Sequence, residues 1–328
     1  MTKLRILSGK QIRRAVKMKE IVDAMEMAFT ELSMGSATMP IRAQISITEP
    51  EGTVLFMPSY MKVTEMIGIK TVTLFEDNRK NDIPYIQGMV CLFDGNNGTP
   101  RAVFDGMTIT ALRTGAASGL ATKLLARSDT SNCTIFGAGV QGRTQLEAVC
   151  AVRDIKRAVI FDTFPAASVT FAEEMSKELD IEVRVAKTSK EALKGADVIC
   201  CATISQTPIF DDNDLPAGVH INAVGSYKPH VQEVPEEMVM RSRLYVDHRQ
   251  SVLEETGDLI IPMHKGLMTP EHIVAEIGEV AAGKAPARAT DVEITFFKSV
   301  GVALQDLAAA AVVLKKAEDL DLGSVVEL

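Results

Sequence analysis

The chain contains no tryptophan, although it carries 16 methionines. Soft, adaptable side chains fill its core, and this composition by itself points to no ligand. There is no apolar run of spanning length, the most apolar stretch (residues 302–314) being short and alanine-rich; a membrane-spanning reading is excluded. Blocks of lysine or arginine are missing too, and 35 basic against 43 acidic residues leave a formal charge of −8. Nucleic-acid binding demands a basic footprint, so that partner class is excluded as well. The N-terminal stretch is charged but has no apolar segment or cleavage site, and no secretory signal is expected. No CxxC pair occurs among the five cysteines, Cys91, Cys133, Cys150, Cys200 and Cys201, four of which lie in apolar runs. They read as reduced core thiols, with the cytoplasm as the expected compartment. The histidines (His220, His230, His248, His264, His272) have no partner at ligand spacing, so no metal site is expected, and no G-x-S-x-G elbow occurs.

What is present is an ordinary globular composition, 46% hydrophobic and 24% charged, in 328 residues, enough for two domains. Ser8 with Gln11 resembles a capping box. Ile21, Met25, Ala28, Phe29 and Leu32 recur at helical spacing up to Gly35. After Pro40 the period changes to two: Ile41, Ala43, Ile45 and Ile47 alternate with Arg42, Gln44, Ser46 and Thr48, the pattern of a half-buried strand. Strand-like runs follow at 53–57, 66–74, 86–93 and 101–104, with hairpin chemistry in Asp94-Gly95-Asn96-Asn97-Gly98. An antiparallel α+β domain is therefore expected up to about residue 107. Residues 108–126 read as a helix rich in small side chains, suited to close approach by another backbone or a cofactor. Strand candidates at 133–136, 158–161, 182–185, 198–202, 220–224 and 244–246 then alternate with helices, which predicts a doubly wound, mostly parallel sheet. Residues 294–316 read as one long apolar-faced helix that returns to the first domain.

The sharpest motif is Gly137-Ala138-Gly139-Val140-Gln141-Gly142, a G-x-G-x-x-G between an apolar strand and a helix. The first glycine makes a tight turn, the second admits a pyrophosphate, the third packs helix on strand, and the helix N-terminus offers free N–H groups. Asp162 ends the next strand. A carboxylate there accepts hydrogen bonds from the adenine-ribose hydroxyls and repels a 2′-phosphate, so NAD is expected, with NADP the alternative. Two further segments, ending in Thr203 and in Ala223-Val224-Gly225-Ser226-Tyr227, reach the same edge of the sheet.

With these segments in hand, the chain resembles the ornithine cyclodeaminase/mu-crystallin family over essentially its whole length. The resemblance rests on Met39-Pro40-Ile41-Arg42, Gly68-Ile69-Lys70, the run from Ile109 to Ala116 that contains Arg113, the GAGVQG loop, the run from Ile221 to Ser226, and Phe297-Lys298-Ser299-Val300-Gly301. It implies a homodimer with a Rossmann NAD-binding domain at 114–293, and a substrate-binding and dimerisation domain from 1–113 with 294–328. Carried over by motif, Arg42, Lys70 and Arg113 meet the substrate carboxylate and the reacting nitrogen. Arg113, Gly137, Gly139, Val140, Gln141, Gly142, Asp162, Thr203, Ala223, Val224, Gly225, Ser226 and Ser299 touch the cofactor. The chemistry agrees: arginine grips a carboxylate with two parallel N–H groups, and a lysine desolvated among Ile67, Ile69, Val72 and Leu74 moves toward an acid/base range. From the residues alone each has a second reading. Arg42 is equally a solvated strand-face charge, Lys70 a side chain snorkelling from an edge strand, and Arg113 half of a structural ion pair.

One departure bears on substrate. Tyr227 stands where cyclodeaminases of this family carry an aspartate, and Val231 where a lysine contacts the cofactor. A tyrosine neither takes up a proton nor attracts a distal ammonium. The expected activity is therefore NAD(P)H-dependent reduction of a cyclic imino acid such as 1-pyrroline-2-carboxylate or 1-piperideine-2-carboxylate, or amino-acid dehydrogenation. Ornithine cyclisation to proline and ammonia, and non-catalytic binding of NAD(P)H or a small ligand, are the alternatives.

Overall fold

The computed structural model describes residues 2–328, with every side chain except that of Arg79. It divides into two compact units, one of residues up to Arg113 together with Val302–Leu328, the other Thr114–Gly301.

The first unit is built on a seven-stranded sheet in the order Ser324–Glu327, Lys3–Leu7, Pro100–Asp105, Ile86–Asp94, Met66–Phe75, Glu51–Met61, Ala43–Thr48. All neighbours are antiparallel except Lys3–Leu7 and Pro100–Asp105, which run parallel. The sheet is thus mixed, and the short strands at the two chain ends, Lys3–Leu7 and Ser324–Glu327, are not among the strand-like runs of the sequence. Ser8 and Gln11 do form a capping box at the start of helix Gly9–Ala15. Helix Met18–Ser33 and helix Ala303–Asp319 pack on each other, and the latter lies against strands Glu51–Met61 and Met66–Phe75. Side chains of a strand alternate between faces. Register sets Lys70 opposite Met57 and Val90, and all three are buried. On the opposite face Met89 is 50% exposed. The strand Ala43–Thr48 corrects one expectation: it is the edge of the sheet and exposed at five of its six positions, not half-buried. Ile45 within it and Ile41 just before it stand in solvent.

The second unit holds an eight-stranded sheet, Ile273–Glu276, Arg243–Val246, Thr295–Lys298, His220–Ala223, Val198–Cys201, Asn132–Phe136, Arg157–Phe161, Glu182–Val185, parallel throughout. The fold is a Rossmann-type doubly wound α/β unit plus an α+β unit. Residues 294–316 are not one helix. Thr295–Lys298 is a strand buried at every position, Gly301 turns the chain at φ 83, and the helix begins only at Ala303. A continuous apolar run reads alike as a buried strand or a buried helix; the threonine and two phenylalanines favour the strand. Residues 294–301 accordingly fall with the parallel sheet. The small side chains of helix Gly106–Leu125 serve close packing, since a Cβ on Gly115 would sit 2.4 Å from the carbonyl oxygen of Thr144. No helix of the described residues is long and apolar enough to cross a membrane.

Candidate functional site

In the second unit, strand Asn132–Phe136 runs into Gly137, whose φ of 101 lies in a region open to glycine. A Cβ on Gly142 would meet the Gly137 oxygen at 2.0 Å, while a Cβ on Gly139 would meet nothing within 4 Å. The loop is therefore tight on the sheet side and open above Gly139, next to the first N–H groups of helix Val140–Val152, as a phosphate site requires. Asp162 lies beside it. Its carboxylate accepts from the Ala138 N–H at 2.8 Å on one oxygen and from the Phe164 N–H at 2.9 Å on the other, so each oxygen keeps a lone pair for a ribose hydroxyl. A cavity of about 460 Å³ opens there, lined by Phe161, Asp162, Phe164, Thr203, Ile204 and Ile209 among others. Apolar walls with one carboxylate suit an adenosine, and the residues present fit a dinucleotide.

The remaining residues expected at the cofactor lie at or just beyond strand ends. Val140 is 65% exposed, and Gln141 has a buried Oε1 without a hydrogen-bond partner. Ala223 is buried within its strand. Thr203 donates from its N–H and its hydroxyl to Glu233, at 2.7 and 2.8 Å, and the Gly225 N–H donates to the other Glu233 oxygen at 2.9 Å. The hydroxyl of Ser226 donates to the Val231 carbonyl at 2.6 Å, and that of Ser299 to Asp247 at 2.7 Å. Tyr227, after these turns, is 45% exposed.

Lys70 and Arg113 of the first unit meet in one cluster. Lys70 Nζ lies 2.7 Å from Asp306 Oδ2, and Arg113 Nε 3.2 Å from Asp306 Oδ1. Arg113 also donates from Nη1 to Gln305 Oε1 at 3.1 Å. Lys70, Arg113, Gln305 and Asp306 are all buried, and one carboxylate serves two cations. Burial brings the Lys70 ammonium down from 10.5 to about 8; Asp306 opposes that fall, while the positive charges of Arg113 and Arg42 add to it. Arg42, half-buried, thus acts on the same point. A cluster left with surplus positive charge is prepared for an anion, and a lysine near neutrality is prepared to give or take a proton.

Sequence reasoning missed Asp306, Gln305 and Glu233. Asp306 follows Arg113 by 193 positions in a helix that reads as alanine-rich core. The signal available was a carboxylate on the apolar side of that helix, in Leu304-Gln305-Asp306-Leu307, where an unpaired charge is too costly to persist.

Residues 3–321 match the model of the ornithine cyclodeaminase/mu-crystallin family. The chain belongs to this family. It is 36% identical over 323 residues to a Delta(1)-pyrroline-2-carboxylate reductase of Bacillus cereus, covering 98% of this chain and 99% of that one. Among solved structures it resembles the Thermococcus litoralis Delta(1)-pyrroline-2-carboxylate reductase in complex with NADH and L-proline, with 41% identity, a TM-score of 0.93, and 98% and 99% of the two chains covered. An archaeal alanine dehydrogenase dimer with bound NAD is 31% identical, with a TM-score of 0.92 and 99% of each chain covered.

Proposed function

We propose that the protein is an NAD(P)H-dependent reductase of a small cyclic imino acid, with 1-pyrroline-2-carboxylate the first substrate to try and 1-piperideine-2-carboxylate the second. The observation that carries this reading is the buried Lys70–Asp306–Arg113 cluster. The relatives named above support it, one a reductase of this imine and one holding NADH and L-proline. The loop at Gly137, Gly139 and Gly142 with Asp162 holds the dinucleotide, which when bound supplies the hydride. Val140, Gln141, Thr203, Ala223, Val224, Gly225, Ser226 and Ser299 complete its surroundings. Asp162 favours NADH over NADPH. Arg42 and Arg113 hold the substrate carboxylate by paired N–H groups. The imine carbon gains a hydride and the nitrogen a proton, turning C=N into CH–NH; Lys70, as ammonium, gives that proton. Tyr227, standing where cyclodeaminases carry an aspartate, offers no carboxylate to a distal ammonium, which disfavours ornithine cyclisation.

The assembly we propose is a homodimer joined through the open face of the first unit's sheet. Ile41, Ile45 and Met89 are apolar and in solvent there, and a related alanine dehydrogenase is a dimer. The free cysteines suit the cytoplasm. The test is NADH consumption by the purified chain with the two cyclic imines, the product identified as L-proline or L-pipecolate. Turnover of ornithine to proline and ammonia with only catalytic NAD, at a comparable rate, would overturn the assignment.

A further inference from the structure

Glu233 is wholly buried and lies outside every motif that carries the chemistry above. Its side chain joins two turns that follow adjacent parallel strands, Val198–Cys201 and His220–Ala223. One oxygen accepts from the Thr203 N–H and hydroxyl, the other from the Gly225 N–H. The fit is close: a Cβ on Gly225 would lie 2.2 Å from the Thr203 carbonyl oxygen and 2.3 Å from Glu233 Oε1. Glu233 is itself held from below. Its N–H donates to Asp258 Oδ1 at 2.6 Å, and Asp258 Oδ2 lies 2.7 Å from the Lys298 ammonium at the end of strand Thr295–Lys298. Asp258 and Lys298 are both fully buried.

Three buried ionisable side chains are expensive to keep inside a protein unless they specify geometry. The geometry specified here is the spacing of two turns at the carboxyl edge of a doubly wound sheet, where ligands collect. Thr203 lines the same cavity as Gly137 and Asp162. We infer that Glu233 is a positioning residue for the dinucleotide: by bridging Thr203 and Gly225, anchored through Asp258 on Lys298, it sets the two turns at the separation that the cofactor requires. This rests on the dinucleotide reading given above.

Glu233→Gln tests it. An amide is nearly isosteric but offers one acceptor oxygen and one NH2 group, so one of the two turns meets donor against donor. NADH binding is measured by fluorescence titration without substrate, together with the thermal midpoint and steady-state kinetics. The dissociation constant for NADH should rise by roughly tenfold or more, the loss of one hydrogen bond to a charged group. At saturating NADH, kcat and the KM for the imine should stay within about twofold. Unchanged NADH affinity overturns the inference. So does a parallel loss of thermal midpoint, kcat and imine affinity, which marks a merely structural residue. A wild-type protein that binds no NADH overturns the cofactor reading itself, and the inference with it. Should the glutamine variant not fold, Glu233→Asp, whose carboxylate is too short to reach both turns, reads the same constants in the same direction.

Discussion

Replacing Asp306 by asparagine separates two roles that the Lys70–Asp306–Arg113 cluster combines. Asp306 opposes the downward pull that burial and two arginines exert on Lys70, whose ammonium loses its proton near pH 8. At pH 7 about nine-tenths of it is therefore charged. A carboxylate at hydrogen-bonding distance shifts a partner by about 1–3 pH units, so the asparagine variant should deprotonate Lys70 between about pH 5 and 7. The charged fraction at pH 7 then drops between about twofold and a hundredfold, centred near tenfold. The assay is kcat/KM for imine reduction from acid to mildly alkaline pH at saturating NADH, since this constant reports groups of the NADH-loaded enzyme before the imine binds. The alkaline limb should move to lower pH, with activity returning as the medium is acidified. A limb that stays near 8, or a fall equal at every pH, refutes the reasoning and reduces Asp306 to a tether for Arg113.

Other consequences can be checked in parallel. In the wild type, imine reduction should decline as pH rises through about 8, while oxidation of the cyclic amino acid, which needs Lys70 neutral, should rise over the same interval. Because the same lysine releases its proton near 10.5 in the unfolded chain, the native state binds fewer protons between those values. Stability should increase with pH across that window, and the urea midpoint of Lys70→Met should lack the increment. Lys70→Ala should lower kcat by at least about a hundredfold, as loss of a general acid does, with NADH still bound in a fluorescence titration. Asp162→Ser combined with Thr163→Arg should move the NADPH-to-NADH ratio of kcat/KM upward by about tenfold or more; an unchanged ratio would show that Asp162 does not meet the ribose. Met89→Lys with Ile45→Lys should yield a monomer by sedimentation where the wild type sediments as a dimer, because two charges per chain would have to be desolvated in the joint.

Much of this arrangement was legible because local physics announces it. Glycine spacing, the strand before it and the helix after it locate the phosphate loop, and Asp162 follows from the end of the next strand. Strand-like runs at 53–57, 66–74 and 86–93 located the long central strands of the first unit, Glu51–Met61, Met66–Phe75 and Ile86–Asp94, the first of them only in its middle. Edges and exchanges were harder. Residues 43–48 alternate like a half-buried strand, yet burial depends on what covers the face, which the pattern does not contain. Residues 294–298 continue into the apolar helix after them, and their place between His220–Ala223 and Arg243–Val246 decides for the strand that their threonine and phenylalanines favour. Asp306 and Glu233 went unread for a common reason: each acts on groups of other elements, and no spacing rule links a carboxylate to partners that only the fold brings to it.

The helix Ala303–Asp319 belongs to the unit whose other residues end at Arg113, and it carries the counter-charge for a lysine near the start of the chain. During synthesis, the whole of Thr114–Gly301 must leave the ribosome before that helix can reach its strands. Until then Lys70 lacks its paired carboxylate and the strands lack the helix that lies on them, while the central segment is already complete. A nonsense mutation between codons 302 and 306 would leave Thr114–Gly301 whole and still remove the carboxylate that pairs with Lys70.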